Sequence, residues 1–133
     1  MYYAEAINPT IMPYYNNNQY SAIYVYDVSN KANPVLARNF TVSGSYFDSR
    51  MIGNNVYAVI SQSAFVYNDE VTLPAVYRSE NTYAASPTSI YYSDMNKSNS
   101  YSFTSFYGID LSNDQQPPTN MTVLMSGAST MYV

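Results

Sequence analysis

The chain has 133 residues, enough for one hydrophobic core, and only 11% of them are charged, against about 25% in an average soluble domain. Its net charge of −4 and five scattered basic residues (Lys31, Arg38, Arg50, Arg78, Lys97) exclude the basic stripe that a phosphate backbone requires, so no nucleic-acid partner is expected. With no His and no Cys, the chain can build neither a Ser-His-Asp or Cys-His relay, nor a disulfide, nor an imidazole or thiolate metal site.

Seventeen tyrosines and many Asn, Ser and Thr carry the polarity that charge usually supplies. Tyr and Thr favour strands, while Asn and Ser favour turns, so the expected class is all-β. No apolar run approaches the roughly 20 residues that span a bilayer. Met1 is followed by Tyr2-Tyr3-Ala4-Glu5, which lacks the basic start and apolar core of a signal peptide. Sequons at Asn39, Asn96 and Asn120 mark candidate N-glycosylation sites, and with the low charge they point to an extracellular or cell-surface location. The sequon at Asn8 is cancelled by Pro9.

In chain order, residues 1–6 read as the tail of a strand and residues 8–20, with two prolines and an Asn triplet, as a loop. Ala22 to Val28 is the clearest strand. Ile23 and Val25 share one face; Tyr24, Tyr26 and Val28 share the other. Both faces are apolar or aromatic, which predicts a sheet covered on both sides. After a turn over Ser29–Pro34, Val35 to Val42 is a second strand, closed by Ser43-Gly44. Tyr46 to Ile52 and Asn55 to Ile60 form a hairpin about Gly53-Asn54-Asn55. Residues 61–100 are a long polar stretch with Pro74 and Pro87 and short β-like pieces at Ala64–Tyr67 and Ile90–Tyr92. They read as an insertion folded over a sheet edge. Alternation resumes from Tyr101 to Leu111, followed by a turn over Ser112–Pro118 and strands at Asn120–Met125 and Ser129–Val133.

An internal repeat organises these elements. Tyr24-Val-Tyr-Asp-Val-Ser-Asn30 matches Tyr107-Gly-Ile-Asp-Leu-Ser-Asn113 at an offset of 83. At the same offset Pro34 meets Pro117, and Ser43-Gly44 meets Ser126-Gly127. Without the insertion the period is about 43 residues, the length of a four-stranded propeller blade. The expectation is one full blade at 46–126 with its insertion at 61–100, the end of a preceding blade at 1–45, and the start of a following one at 127–133.

The segment IYVYDVSNKANPVLARNFTVSGSYFDSRMIGNNVYAVIS, with its Ser49-Arg50-Met51-Ile52-Gly53 element, resembles secreted or surface-anchored archaeal and bacterial proteins that carry a C-terminal β-propeller distantly related to WD repeats. Val71–Pro74, Ile90–Tyr92 and Tyr101–Ser112 are similar to further elements of that pattern. The resemblance implies antiparallel blades, a position internal to a propeller, and other blades of a parent chain or other surface proteins as partners. It carries no catalytic residue across to this chain.

Candidate chemistry is sparse. Asp27-Val-Ser-Asn30 and Asp110-Leu-Ser-Asn113-Asp114 offer oxygen ligands for Ca²⁺, but lack the Gly and closing Glu of an EF-hand loop. Side-chain capping of turn amides is the preferred reading, and Asp27 and Asp110 are taken as structural turn repeats. Asp69-Glu70, with Asp94, is the remaining source of paired carboxylates for a glycosidase. Neighbours on one strand point to opposite faces, which disfavours that chemistry. Tyr2-Tyr3, Tyr14-Tyr15 and Tyr91-Tyr92 are candidate surfaces for a protein or glycan partner. Arg50 beside Asp48 reads as a structural ion pair. The expected function is a non-catalytic extracellular scaffold. Filament or surface-layer assembly by strand addition and a carbohydrate-active enzyme are the alternatives.

Overall fold

The computed structural model describes residues 19–78, 81–93 and 100–126. Its strands are β1 (Tyr20–Asp27), β2 (Val35–Ser43), β3 (Ser45–Ile52), β4 (Asn55–Ser63), β5 (Val66–Tyr67), β6 (Glu70–Val71), β7 (Ala75–Arg78), β8 (Asn81–Ala84), β9 (Ile90–Tyr92), β10 (Ser102–Asp110) and β11 (Thr119–Met125). A single 3₁₀ turn at Pro87–Ser89 is the helical element among the described residues. The all-β class and its antiparallel blades are therefore present.

Two sheets hold nearly everything. The first runs β1-β2-β7-β8 and the second β3-β4-β10-β11-β9, with β5-β6 as a small separate ribbon. Within the second sheet, β3, β4, β10 and β11 form an up-and-down antiparallel set, with the insertion looped out between β4 and β10. The two strands of the first repeat copy, β1 and β2, pair antiparallel as neighbours, as their counterparts β10 and β11 do, with a bulge in β1-β2 and a register two residues different (Tyr24 opposite Asn39, Tyr107 opposite Asn120). They thus occupy the third and fourth places of a neighbouring four-stranded unit.

The two sheets meet face to face around one core. Phe40, Val42 and Val76 from the first sheet pack with Ile60, Tyr107 and Ile109 from the second. Ile23, Val25, Val56 and Leu111 flank them, half-buried. The period-2 alternation supplies this. Val56, Ala58 and Ile60 stand opposite Ile109, Tyr107 and Ser105 on one side of the β4/β10 pair. Each fully buried aliphatic or aromatic side chain here contributes about 2 kcal/mol.

The sheets are joined by a single residue. Gly44 lies between β2 and β3, has φ +105°, and is buried. Its N–H bonds to the Gln19 carbonyl at 2.6 Å, and its carbonyl accepts the Ser21 hydroxyl at 2.9 Å. A Cβ at this position would sit 2.7 Å from the Ser61 carbonyl oxygen and 2.8 Å from Ile60 Cγ2. Both the dihedral and the space demand glycine. The hairpin from β3 to β4 is tighter than the sequence suggests. Gly53 (φ +59°) and Asn54 alone form its turn, Asn55 being the first residue of β4. A positive φ at the first central position only is the II′ pattern.

The insertion is more ordered than its composition suggests. β7 and β8 extend the first sheet beyond β2, and β9 adds a parallel strand to the second sheet beyond β11. The polar stretch therefore thickens the outer edges of both sheets at once. The Ala75 N–H donates to the buried Ser43 hydroxyl at 2.8 Å, which pins β7 to the end of β2.

One expectation is corrected. The central strands β4 and β10 are buried on both faces, but among the described residues β1 is covered on one only. Ile23 and Val25 turn to the core, while Tyr24, Tyr26 and Val28 are exposed. Greasiness on two faces states what a strand can bury, not what is present to bury it. The strands expected at residues 1–6 and Ser129–Val133 lie outside the described residues.

Replacing Gly44 by Ala forces a positive φ on a residue with a Cβ and drives that atom into backbone. We expect Gly44→Ala to destabilise the fold by about 3 kcal/mol, read as a lowered urea midpoint with an unchanged slope. Stability within about 0.5 kcal/mol of the parent would show that the sheet junction differs from that described here.

Candidate interaction surface

The two repeat turns have the same internal wiring. Asp27 Oδ1 accepts the Ser29 N–H at 2.8 Å, and Asp110 Oδ1 accepts the Ser112 N–H at 2.8 Å. Asn30 Oδ1 accepts the Ala32 N–H at 3.2 Å, and Asn113 Oδ1 accepts the Gln115 N–H at 3.1 Å. The carbonyls of Asn30 and Asn113 then take the N–H groups of Asn33 and Gln116. These are Asx turns, in which a short side chain substitutes for backbone.

The backbone N–H of Ser29, and then its hydroxyl, hold the Asp27 carboxyl below the ordinary aspartate range. At Asp110 the Ser112 hydroxyl acts first, its N–H second, and the Arg38 charge adds a smaller pull the same way. A carboxyl lowered on folding supports the fold above its unfolded value. That support is lost as pH falls through the lowered one. Both carboxylates are fully solvated, so the effect is small.

The second turn has an additional partner. The Arg38 guanidinium, on β2 of the first sheet, reaches across to it. Nη1 donates to the carbonyls of Asn113 and Gln116, each at 3.0 Å, and Nη2 donates to the Asp110 carbonyl. The Arg38 side chain is largely buried, whereas Asp114, 3.7 Å from Nε, is half-exposed. The carbonyl contacts therefore hold Arg38, and the screened ion pair adds little. The sequence marks Arg38 only as one scattered base, because its partners lie 72 to 78 positions away. No local spacing could have found them.

The other candidate residues do not converge. Asp69 sits in a tight turn with Asn68, both at positive φ, and Asp69 and Glu70 are exposed at the tip of the β5-β6 ribbon. Asp94 lies outside the described residues. Among the described residues no group of three acidic side chains is placed to hold a metal. The expected Arg50–Asp48 pair is replaced by different contacts. Asp48 Oδ1 accepts the Ser49 N–H at 2.7 Å, and the ion pair of the described residues is that of Arg38. Both residues lie in the regular part of β3 beyond the bulge at Phe47, and the Asp48 carboxylate turns to the adjacent amide rather than to Arg50.

Exposed aromatics are the chief surface feature. Tyr91 and Tyr92 on β9 are 64% and 71% exposed. Tyr83 on β8 and Phe65 before β5 are also exposed, so all four belong to the insertion. On the first sheet Tyr20 meets Tyr77 edge-on, with ring centroids 5.5 Å apart. Asn39 and Asn120 are exposed on β2 and β11. Asn96, Tyr2-Tyr3 and Tyr14-Tyr15 lie outside the described residues.

The family model of the beta propeller domain matches residues 2–133. The chain belongs to the beta propeller domain family. No curated protein and no solved structure matches it. In a propeller, four-stranded sheets stack radially as blades, which explains why β1-β2 and β10-β11 are equivalent pairs in successive sheets. Arg38 is then a clamp from one blade to the strand-three to strand-four turn of the next. Among the described residues no helix is long and apolar enough to cross a membrane.

Truncating Arg38 removes a charged donor shared by three turn carbonyls, that of half-buried Asp110 and those of exposed Asn113 and Gln116. Arg38→Ala should cost about 2–3 kcal/mol, and Arg38→Lys should recover only part, since an ammonium cannot span the three acceptors. Chemical denaturation checks both. Equal stability of the Lys variant and the parent would rule out the fork geometry.

Proposed function

We propose that this propeller is a non-catalytic extracellular scaffold that binds a protein or glycan through the aromatic surface of its insertion. The observation that carries the reading is that four large aromatic side chains of the insertion, Phe65, Tyr83, Tyr91 and Tyr92, are exposed, Tyr83 on a strand of the first sheet and Tyr91 and Tyr92 on a strand of the second. Rings on rigid β-structure lose little conformational freedom on binding, and Tyr offers a polar tip beside its apolar face. Binding residues on connections held by a rigid frame are a common arrangement.

The extracellular part rests on composition: low charge, Tyr in place of Lys and Glu, and sequons at Asn39, Asn96 and Asn120. The resemblance to surface-anchored archaeal and bacterial propeller proteins supports the same placement. Carboxylate chemistry at Asp69 and Glu70 is the less favoured alternative, because the pair sits exposed at a ribbon tip. Strand addition into a filament or surface layer is favoured by one observation. Among the described residues β1 is hydrogen-bonded on one side only.

The test uses native material and an array of immobilised oligosaccharides and cell-surface proteins. We expect peptides spanning Asn39, Asn96 or Asn120 to carry glycan. We also expect array binding that falls at least tenfold on Tyr91→Ala with Tyr92→Ala, with melting unchanged. Bare peptides from a cytosolic fraction would remove the location, and binding indifferent to both tyrosines would remove the surface.

A further inference from the structure

We propose that the turn from Asp27 to Asn33 is an arginine socket, and that with the outer face of β1 it docks a further β-sheet bearing an arginine where this chain has Arg38. Two separate correspondences lead there, both through the offset of 83.

The first is apolar. On β10, Tyr107 and Ile109 are each 1% exposed against the first sheet, with Leu111 beside them. Their repeat counterparts on β1 are Tyr24, Tyr26 and Val28, at 56%, 53% and 56% exposure. The face that the second sheet buries in the blade seam is thus the face that the first sheet leaves open. Three large side chains in a row on one strand face form a patch that solvent disfavours.

The second is polar. The socket that holds Arg38 is built from the carbonyls of Asp110, Asn113 and Gln116. The counterparts are the carbonyls of Asp27, Asn30 and Asn33, in a turn with the same Asx bonds and the same closing N–H contact. The first turn thus offers the same three carbonyl acceptors. A guanidinium is the group that satisfies three divergent carbonyls in one plane.

The occupant is a sheet that presents an arginine followed at alternate positions by apolar side chains, as β2 presents Arg38, Phe40 and Val42. A second copy of this chain does not fit. Its matching outer strand, β11, presents Thr119, Met121 and Val123 at the register of Arg38, Phe40 and Val42, so a threonine stands where the arginine must be. Residues 1–18 contain no Arg or Lys and do not supply one. Asn39 pairs with Tyr24 on this same face. A glycan there and a docked sheet exclude one another.

The same comparison provides the probe. Thr119→Arg puts the missing guanidinium on the outer face of the second sheet, so that one copy can fill the socket of another. By sedimentation velocity we expect Thr119→Arg to self-associate at least tenfold more tightly than the parent, and Thr119→Lys to gain less. Adding Tyr24→Lys should return the Arg variant to the parent level. Equal association of parent and Thr119→Arg, or association indifferent to Tyr24→Lys, would overturn the proposal. Parent association already broken by Tyr24→Lys would overturn it in favour of a second copy. If Thr119→Arg does not fold, carbonyl ¹³C shifts of the parent on adding N-acetylarginine amide decide. Shifts at Asp27, Asn30 and Asn33 and none at Asp110, Asn113 and Gln116 support the socket; no shifts, or equal shifts in both turns, refute it.

Discussion

Everything in this molecule depends on burying two sheet faces against each other. Phe40 and Val42 meet Tyr107 and Ile109 across the seam, and the remaining core side chains fill in around them. With 11% charge there is little electrostatic network to assist. Burial at about 25 cal/mol per Å² of apolar surface is the available driving force, set against the entropy of ordering long β-connections. Gly44 is what lets the seam form, because it passes the chain from one sheet to the other without a linker. A longer link would leave the relative position of the two faces unspecified.

The polar contacts specify the packing more than they strengthen it. The core fixes that the sheets stack but tolerates sliding, since aliphatic contacts have no direction. Arg38 removes that freedom. Its planar fork fits the three carbonyls of one turn in one orientation, so it sets the register of blade on blade. The turn is stiffened in turn by its Asx bonds, which aim the carbonyls before the arginine arrives. Local turn chemistry and long-range docking therefore share the same few residues, and this accounts for the recurrence of Asp, Asn and Pro in both copies.

Much of the fold was legible because it is written in alternation and punctuation. Ile23/Val25 against Tyr24/Tyr26, Gly53 at a hairpin and Ser43-Gly44 at a junction are local signals, and the repeat of Asp27 at Asp110 set the blade period. The β7-β8 extension was not legible. Ala75-Val-Tyr-Arg is too short to show a period, and its pairing with Thr41 and Val42 is a long-range contact. Exposure of the Tyr24 face was also hidden, since a sequence shows that a face is apolar without showing what meets it. At the candidate surface, Tyr91-Tyr92 stood out as a doublet, whereas Arg38 carried no local mark of its role. Asp48 and Arg50 failed as a pair although they share a regular stretch of β3, because the Asp48 carboxylate is taken by the Ser49 N–H.

The most direct measurement of the central claim is the nuclear Overhauser contacts of the Ile109 methyl groups. Stacked faces predict cross-peaks from Ile109 to the Phe40 ring and the Val42 methyls, which belong to the other sheet. If Ile109 shows cross-peaks only to its own sheet, such as its strand partner Val56, the two faces do not meet and the account fails.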